Sequence, residues 1–240
     1  MPVMKLKSII QRVLNRIKRY FTPKTLLPSP PRAFSHEGED LILARLFDSK
    51  PNGFYVDVGA HHPIRYSNTH LFYTLGWNGI NIDAMPGSMA LFNQTRSRDI
   101  NLEIAVNEKQ TTLVYHIFNE PALNTFDPDF AKKFDGLGTF RIIEIKEIQT
   151  QTLAGILTKY APNKTIDFMS VDVEGLDLAV LRSNDWKLFS PTYVLAEDFF
   201  VETVEDALQC SIAAFLRSVG YVLIAKTAHT LIFKKQSVAP

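Results

Sequence analysis

The stretch FYVDVGAHHPIRYSNTHLFYTLGWNGINID, residues 54–83, constrains the fold more than any other part of the chain. Phe54–Val58 reads as a buried strand that breaks at Gly59. Asn68–Leu75 reads as a short helix, with Ser67 as its cap and Gly76 as its stop. Gly79–Ile82 reads as a second strand ending on Asp83. A strand, a helix and a strand within so few residues call for a right-handed crossover and parallel pairing.

The alternation continues to the end of the chain. Ser88–Thr95 is expected as a helix, Leu102–Val106 as a third strand, and Thr111–Phe118 with Phe140–Ile148 as an antiparallel pair. Leu153–Tyr160 reads as a helix, Ile166–Val171 as a strand, Leu176–Arg182 as a helix and Thr192–Ala196 as a strand. Val204–Ser218 reads as one long helix, and Tyr221–Ala225 with Thr230–Phe233 as a closing strand pair. The fold class that follows is α/β, a mostly parallel sheet with helices on both faces.

With 240 residues the chain suits one large domain plus accessory segments. The eight residues Lys5, Lys7, Arg12, Arg16, Lys18, Arg19, Lys24 and Arg32 all precede the first acid, Glu37. That leaves 18 of the 26 basic residues against all 25 acidic ones, so the body of the chain is acidic and nucleic acid is a poor partner. Residues 1–24 contain a basic amphipathic helix pattern, with Ile9, Ile10, Val13, Leu14, Ile17 and Phe21 on one side. Packing on the domain, contact with an anionic membrane surface, and an organellar presequence compete for it. Residues 25–34 hold three of the four prolines of TPKTLLPSPPR and read as a linker, and 35–240 as the main domain. SHEGEDLILARLF opens that domain as a helix with Ser35 expected as its cap. One cysteine, Cys210, excludes an intrachain disulfide and fits a reducing, cytoplasmic setting, peripheral to a membrane if residues 1–24 bind lipid.

Ligands of such sheets bind outside the carboxyl ends of the strands. There the first strand delivers Asp57, Gly59 and Ala60, and the second Asp83 and Ala84. The third delivers Ala105, Val106 and Asn107, the fourth Asp172 and Glu174, and the fifth Glu197 and Asp198. Four of the five ends are acidic, and only one glycine stands where a dinucleotide fingerprint needs several. Acids repel phosphate but suit a ligand with a ribose, an ammonium and a positive centre, as in S-adenosylmethionine. Asp83 suits two vicinal ribose hydroxyls, or serves only as the turn residue before Met85-Pro86-Gly87. His61 or His62 is expected on the pocket wall, and Ser67, Asn68 and Thr69 at a helix start beside the ligand's carboxylate. Adjacent histidines with no Cys and no helical His pair do not read as metal ligands, and no metal is assigned. The sequence leaves open whether a divalent ion assists.

The stretch FYVDVGAHHPIRYSNTHLFYTLGWNGINIDAMPGSM, with TIDFMSVDVEGLDLAVLRS, resembles the FkbM family of S-adenosylmethionine-dependent methyltransferases. The resemblance runs from SHEGEDLIL to the end of the chain. His-His-Pro departs from it, because many members carry Asn or another small polar residue there. It implies a Rossmann-like seven-stranded methyltransferase fold with an antiparallel last strand, and O-methylation of a sugar, glycan or natural-product hydroxyl. It implies that Asp57 and Gly59 form the cofactor turn, that Asp83 binds ribose, and that Asp172, Glu174 and Gly175 form a second motif. His36, Glu39 and Asp40 then resemble a motif that closes over the cofactor's methionine end.

Methyl transfer to a hydroxyl benefits from a base. Glu174 is the expected general base, with Asp172 and Glu197 orienting cofactor or acceptor; a helix-capping carboxylate is the competing role for Glu174. The segment 119–139, with Phe126, Phe130 and Phe134, reads as a lid over an acceptor or as ordinary packed structure. Two other readings compete: a nucleotide-sugar glycosyltransferase using Asp172-x-Glu174, and a non-catalytic membrane-surface protein. The acceptor and the oligomeric state are not legible in the sequence.

Overall fold

A computed structural model describes residues 32–48 and 50–236. The chain divides into two compact units, Met1–Arg32 and Ala33–Pro240, and the fold described below is that of the second. The basic helix read over 1–24 and most of the linker lie outside the described residues. No helix among the described residues is long and apolar enough to cross a membrane.

Seven strands form the main sheet: β1 (Phe54–Val58), β2 (Asn78–Asp83), β3 (Ile100–Glu103), β7 (Phe168–Val171), β8 (Tyr193–Glu197), β9 (Tyr221–Lys226) and β10 (Thr230–Lys235). Their order is β3-β2-β1-β7-β8-β10-β9. Strands β3, β2, β1, β7 and β8 are parallel, and β10 runs antiparallel between β8 and β9. This is the seven-stranded arrangement expected from the sequence, with the last strand reversed. The strand order steps outward from β1 on one side and from β7 on the other, so the crevice opens at the β1–β7 junction.

The central strands are apolar because both faces are covered. Every residue of β1 and β7 is buried. Alternation sends Val56, Met169 and Val194 to one face, against Leu153, Ile156, Leu157, Val180 and Leu181. Tyr55, Phe168 and Leu195 go to the other, against Leu43, Phe72 and Trp77. Helix α1 (Glu39–Phe47) closes that second face. The Phe47 ring meets Trp77 at 4.9 Å and Tyr193 at 5.1 Å, which also fixes the segment just before α1. The remaining helices are α2 (His70–Thr74), α3 (Met89–Thr95), α4 (Pro128–Phe134), α5 (Leu153–Tyr160), α6 (Asp177–Arg182), α7 (Val204–Gln209) and α8 (Ser211–Ser218).

Three expectations are corrected. The third strand does not run over 102–106. It divides at Ile104: β3 pairs with β2, while β4 (Ala105–Val106) pairs with β6 (Ile142–Gln151) of a second sheet ordered β4-β6-β5, with β5 at Thr112–Phe118. The run stays apolar across this change of sheet, so hydropathy alone does not show it. The helix over 204–218 breaks at Cys210, whose backbone is extended (φ −64°, ψ 161°) and whose sulfur accepts from the Ala213 N–H. Ala207, Ala213 and Leu216 are buried on both sides of the break, which keeps the apolar pattern in phase. Ser35 does not cap α1. Gly38 holds that position, and the Ser35 hydroxyl donates to Asp40 at 2.8 Å.

The segment 119–139 is ordered structure: a 3-10 turn at Pro121–Leu123 and α4, which Asp127 caps by accepting from the Asp129 and Phe130 N–H groups. Phe126 packs on Tyr115 at 4.4 Å, so the segment folds back against β5.

Candidate active site

The ends of β1 and β7 are pressed together. Gly59 turns through φ +85°, and a Cβ there would lie 1.6 Å from the Asp172 carbonyl oxygen, so only glycine fits. The Asp172 N–H donates to the Val58 carbonyl at 2.9 Å, and the Gly59 and Ala60 N–H groups donate to Ile82 at 2.9 and 3.0 Å. After these junctions the backbone takes left-handed turns at His61 (φ 51°), Tyr66 (φ 56°) and Glu174 (φ 52°). Such conformations are costly outside glycine and gather at functional sites. All three residues line one cavity of about 270 Å³, near the lower end of the range for ligand pockets.

Eleven of the residues expected from sequence reach that cavity. Gly59, His61, Asn68, Asp83, Ala84 and Val106 form one end of its wall, and Asp172, Glu174 and Glu197 the other. His36 comes from the strap before α1 and Glu39 from the first turn of α1. Asp83 is buried and accepts from the His61 N–H at 2.9 Å and the Met85 N–H at 2.8 Å. Burial raises its pKa, and those two hydrogen bonds oppose the rise. The Asn68 amide donates to Ser170 at 3.0 Å.

Four expected residues lie behind the wall. Ala60 packs with Met89 and Phe92, and Ala105 is buried at the start of β4. Asp57 accepts from the Thr69 hydroxyl at 2.8 Å, and that hydroxyl also receives Nη2 of Arg96 at 2.8 Å. Arg96 is wholly buried. It further donates to Asp99 at 2.9 Å, Tyr55 at 2.8 Å, the Pro63 carbonyl at 3.0 Å, and Ser67 and Asn81 at 3.3 Å. Asp57 and Thr69 therefore tie the glycine turn after β1 to an internal cation instead of facing the cavity. Burial lifts Asp57 to about 6 against the pull of Thr69 and Arg96. His62 also stays off the wall, where Nδ1 accepts from the Ile64 and Arg65 N–H groups of its own turn.

The strap crosses above the crevice and is pinned to β10 and the turn before it. Glu37 accepts from the Thr227 hydroxyl at 2.5 Å and the His229 N–H at 2.9 Å, and faces His229 Nδ1 at 2.6 Å. Glu39 accepts from the Thr230 hydroxyl at 2.9 Å. His36 packs against Tyr66 with ring centroids 4.7 Å apart. Burial raises the Glu37 pKa, but these hydrogen bonds and the His229 charge outweigh it and hold the carboxyl down to about 2.

Glu174 does not cap α6. Its carbonyl accepts from the Thr125 hydroxyl at 2.8 Å, and its side chain turns toward Asp172 and Glu197. Asp172 Oδ1, Glu174 Oε2 and Glu197 Oε2 are buried with no donor from the described protein. Burial raises all three carboxyls above the usual range. Their mutual repulsion and the nearby Asp177 push Glu174 and Glu197 further, and Asp172 and Glu197 lie close enough to share a proton. Among the described residues this is the group whose oxygens converge within 4.8 Å, and it contains no histidine.

The sequence reading missed Glu37, Tyr66, Tyr115, Asn124, Phe199 and Thr230, while Phe126, read as part of a lid or of packed structure, reaches the cavity. Most come from the small sheet, its adjoining segment, or the loop and turn beside β10, far in sequence from the strand-end motifs. No lysine or arginine lines the cavity among the described residues, whereas six acids do. No lysine or arginine side chain there offers a nucleoside diphosphate a counter-charge.

The family model for the methyltransferase FkbM domain matches residues 57–223. The chain belongs to the FkbM methyltransferase family. The matched region holds the Gly59 turn, Asp83 and the whole carboxylate group, and begins after the strap. No curated protein sequence matches the chain. Among solved structures, a candidate RNA methyltransferase from Pyrococcus horikoshii aligns over 89% of this chain and 95% of its own, at 10% identity and a TM-score of 0.44. The protein is a methyltransferase with a seven-stranded sheet.

Proposed function

We propose that this FkbM methyltransferase uses S-adenosylmethionine and methylates a hydroxyl oxygen of a sugar or comparable polyol. The observation that carries the donor assignment is the charge of the crevice, which has six acids and no lysine or arginine among its described lining residues. The fit is chemical as well. Asp83 is a buried carboxylate at the end of β2, suited to ribose hydroxyls. Glu39 in the first turn of α1 and His36 in the strap, with Asn68 below, supply polar groups for an amino-acid end. S-adenosylmethionine, when bound, supplies an electrophilic methyl group on a positively charged sulfur.

The protein's own part is to hold the acceptor oxygen in line and to take its proton. Glu174 is the base in this reading. A positive charge in the crevice favours its ionised form, which burial and Asp172 otherwise disfavour. Asp172 and Glu197 orient the acceptor beside it. Tyr66, Phe126 and Phe199 give the cavity aromatic walls suited to the apolar face of a sugar ring. The strap and the segment 119–139 shield the site from water.

Calorimetry of the full chain with S-adenosylhomocysteine and, separately, with uridine diphosphate tests the donor. The expected result is saturable binding of the first and none of the second. The reverse pattern overturns the proposal.

A further inference from the structure

The carboxylate group at the ends of β7 and β8 has more negative charge than the proposed donor neutralises. S-adenosylmethionine carries one net positive charge, since its ammonium and sulfonium are offset by its carboxylate. Asp172, Glu174 and Glu197 converge within 4.8 Å. A second observation points the same way: Asp172 Oδ1, Glu174 Oε2 and Glu197 Oε2 are each shut off from solvent and unpartnered while their carboxylates face one another. Asp177, 4% exposed, adds a fourth acid behind them, served by backbone N–H groups. Like charges this close are disfavoured unless a proton or a cation lies between them. Nearby Glu37 and Glu39 are occupied by Thr227, His229 and Thr230, and Arg96, the one buried arginine among the described residues, is spent on Asp99 directly and on Asp57 through the Thr69 hydroxyl.

We propose that Asp172, Glu174 and Glu197 form a site for a hard divalent cation of the magnesium or manganese kind, open on the cavity side to an acceptor oxygen. The ligand chemistry fits such ions, which take oxygen donors and keep six or more positions. Three protein carboxylates leave several positions for water or for neighbouring hydroxyls of the acceptor. Histidine and cysteine are absent from the group, which disfavours zinc. Glu174 sits on the left-handed turn that Gly175 continues at φ 103°, and the Thr125 hydroxyl holds its carbonyl, so the backbone is braced to present the side chain. A cation here lowers the pKa of a bound hydroxyl, so a carboxylate oxygen suffices as base. The catalytic use of the ion rests on the proposed O-methylation; the binding site itself does not.

The test is manganese titration of the full chain, read by calorimetry and by the water-proton relaxation of the bound ion, with no donor or acceptor present. One ion per chain is expected, displaced by magnesium. Asp172→Asn and Glu197→Gln should each weaken binding at least tenfold while far-UV circular dichroism stays unchanged. Glu144→Gln, on the exposed outer part of β6, is expected to leave it unchanged. Absence of binding at millimolar manganese overturns the site, as does binding that survives Asp172→Asn. If both acid variants unfold, Glu174→Gln with the wild-type titration decides by the same criterion. S-adenosylhomocysteine binding is measured on the same samples, so loss of the cation site with donor binding intact leaves the donor assignment standing.

Discussion

Two groups of acids sit at neighbouring strand ends of this sheet, and they are neutralised in opposite ways. Beneath β1, Asp57 and Asp99 are served by Arg96, which is wholly buried and donates to six partners. At the end of β7, Asp172 and Glu174 face Glu197 with no internal cation and with orphaned oxygens. The first arrangement is neutralised within the fold; in the proposed reading the second is completed by a ligand. The largest expected effect tests the first group. Arg96→Met leaves buried carboxylates unpaired and should destabilise the protein by about 3–5 kcal/mol. Denaturant unfolding measures it, and a loss below about 1 kcal/mol would show that Arg96 is not what holds the turn after β1.

The matching change in the second group should have the opposite character. Glu174→Gln removes one of the mutually repelling acids, so stability should hold or rise. Turnover should fall by about 10²–10⁴-fold, the usual contribution of a positioned base. Methyl transfer from labelled donor, compared with donor affinity on the same sample, separates the two effects. Unchanged turnover removes Glu174 from the chemistry.

The same contrast explains what could be read from the sequence. The strand ends are local: a buried apolar run followed by an acid and a glycine announces both the sheet and its crevice, so Gly59, Asp83, Asp172, Glu174 and Glu197 were all legible. The partner of an acid is not local. Arg96 lies 39 positions after Asp57 and reads as a surface residue at the end of α3, so nothing in the pattern says that Asp57 turns inward. The strap is a similar case. Its acids were legible, but the Thr227 and His229 contacts that fix Glu37 come from the far end of the chain. Tyr115, Asn124 and Phe126 reach the cavity only because β4 leaves the main sheet at Ile104, a change of partner that no hydropathy pattern marks.

Acidity offers a third measurement. The Asp57 pKa is raised by burial from 3.8 to about 6 in the folded chain. The folded state therefore binds the proton more tightly, and the cost of burying the charge is fully present above pH 6. It is relieved as pH falls from about 6 to about 4. By linkage the shift amounts to about 3 kcal/mol. The cavity acids titrate in the same direction, so the comparison is with Asp57→Asn. The stability of wild type relative to that variant should be about 3 kcal/mol lower at pH 7 than at pH 4, by denaturant unfolding at each pH. A flat difference would mean that Arg96 neutralises Asp57 fully.

The smallest expected effect concerns Glu37, which sharpens the comparison because it belongs to both groups: it lines the cavity, yet its oxygens are taken by Thr227 and His229. Because both Glu37 oxygens are held by protein groups, its role is expected to be structural, as with Asp57. Its carboxyl is held down to about 2, so its contribution to stability is fully present above about pH 4.5 and is lost as pH falls through 2. Glu37→Gln keeps an acceptor for the two donors but loses the charge that strengthens those bonds, a loss of about 1 kcal/mol. The strap should loosen, and S-adenosylhomocysteine affinity should drop about fivefold, with the manganese affinity of the β7–β8 group unchanged. A drop of a hundredfold or more would mean that Glu37 touches the ligand despite its partners, and that a carboxylate held by the protein on the strap can still serve the crevice.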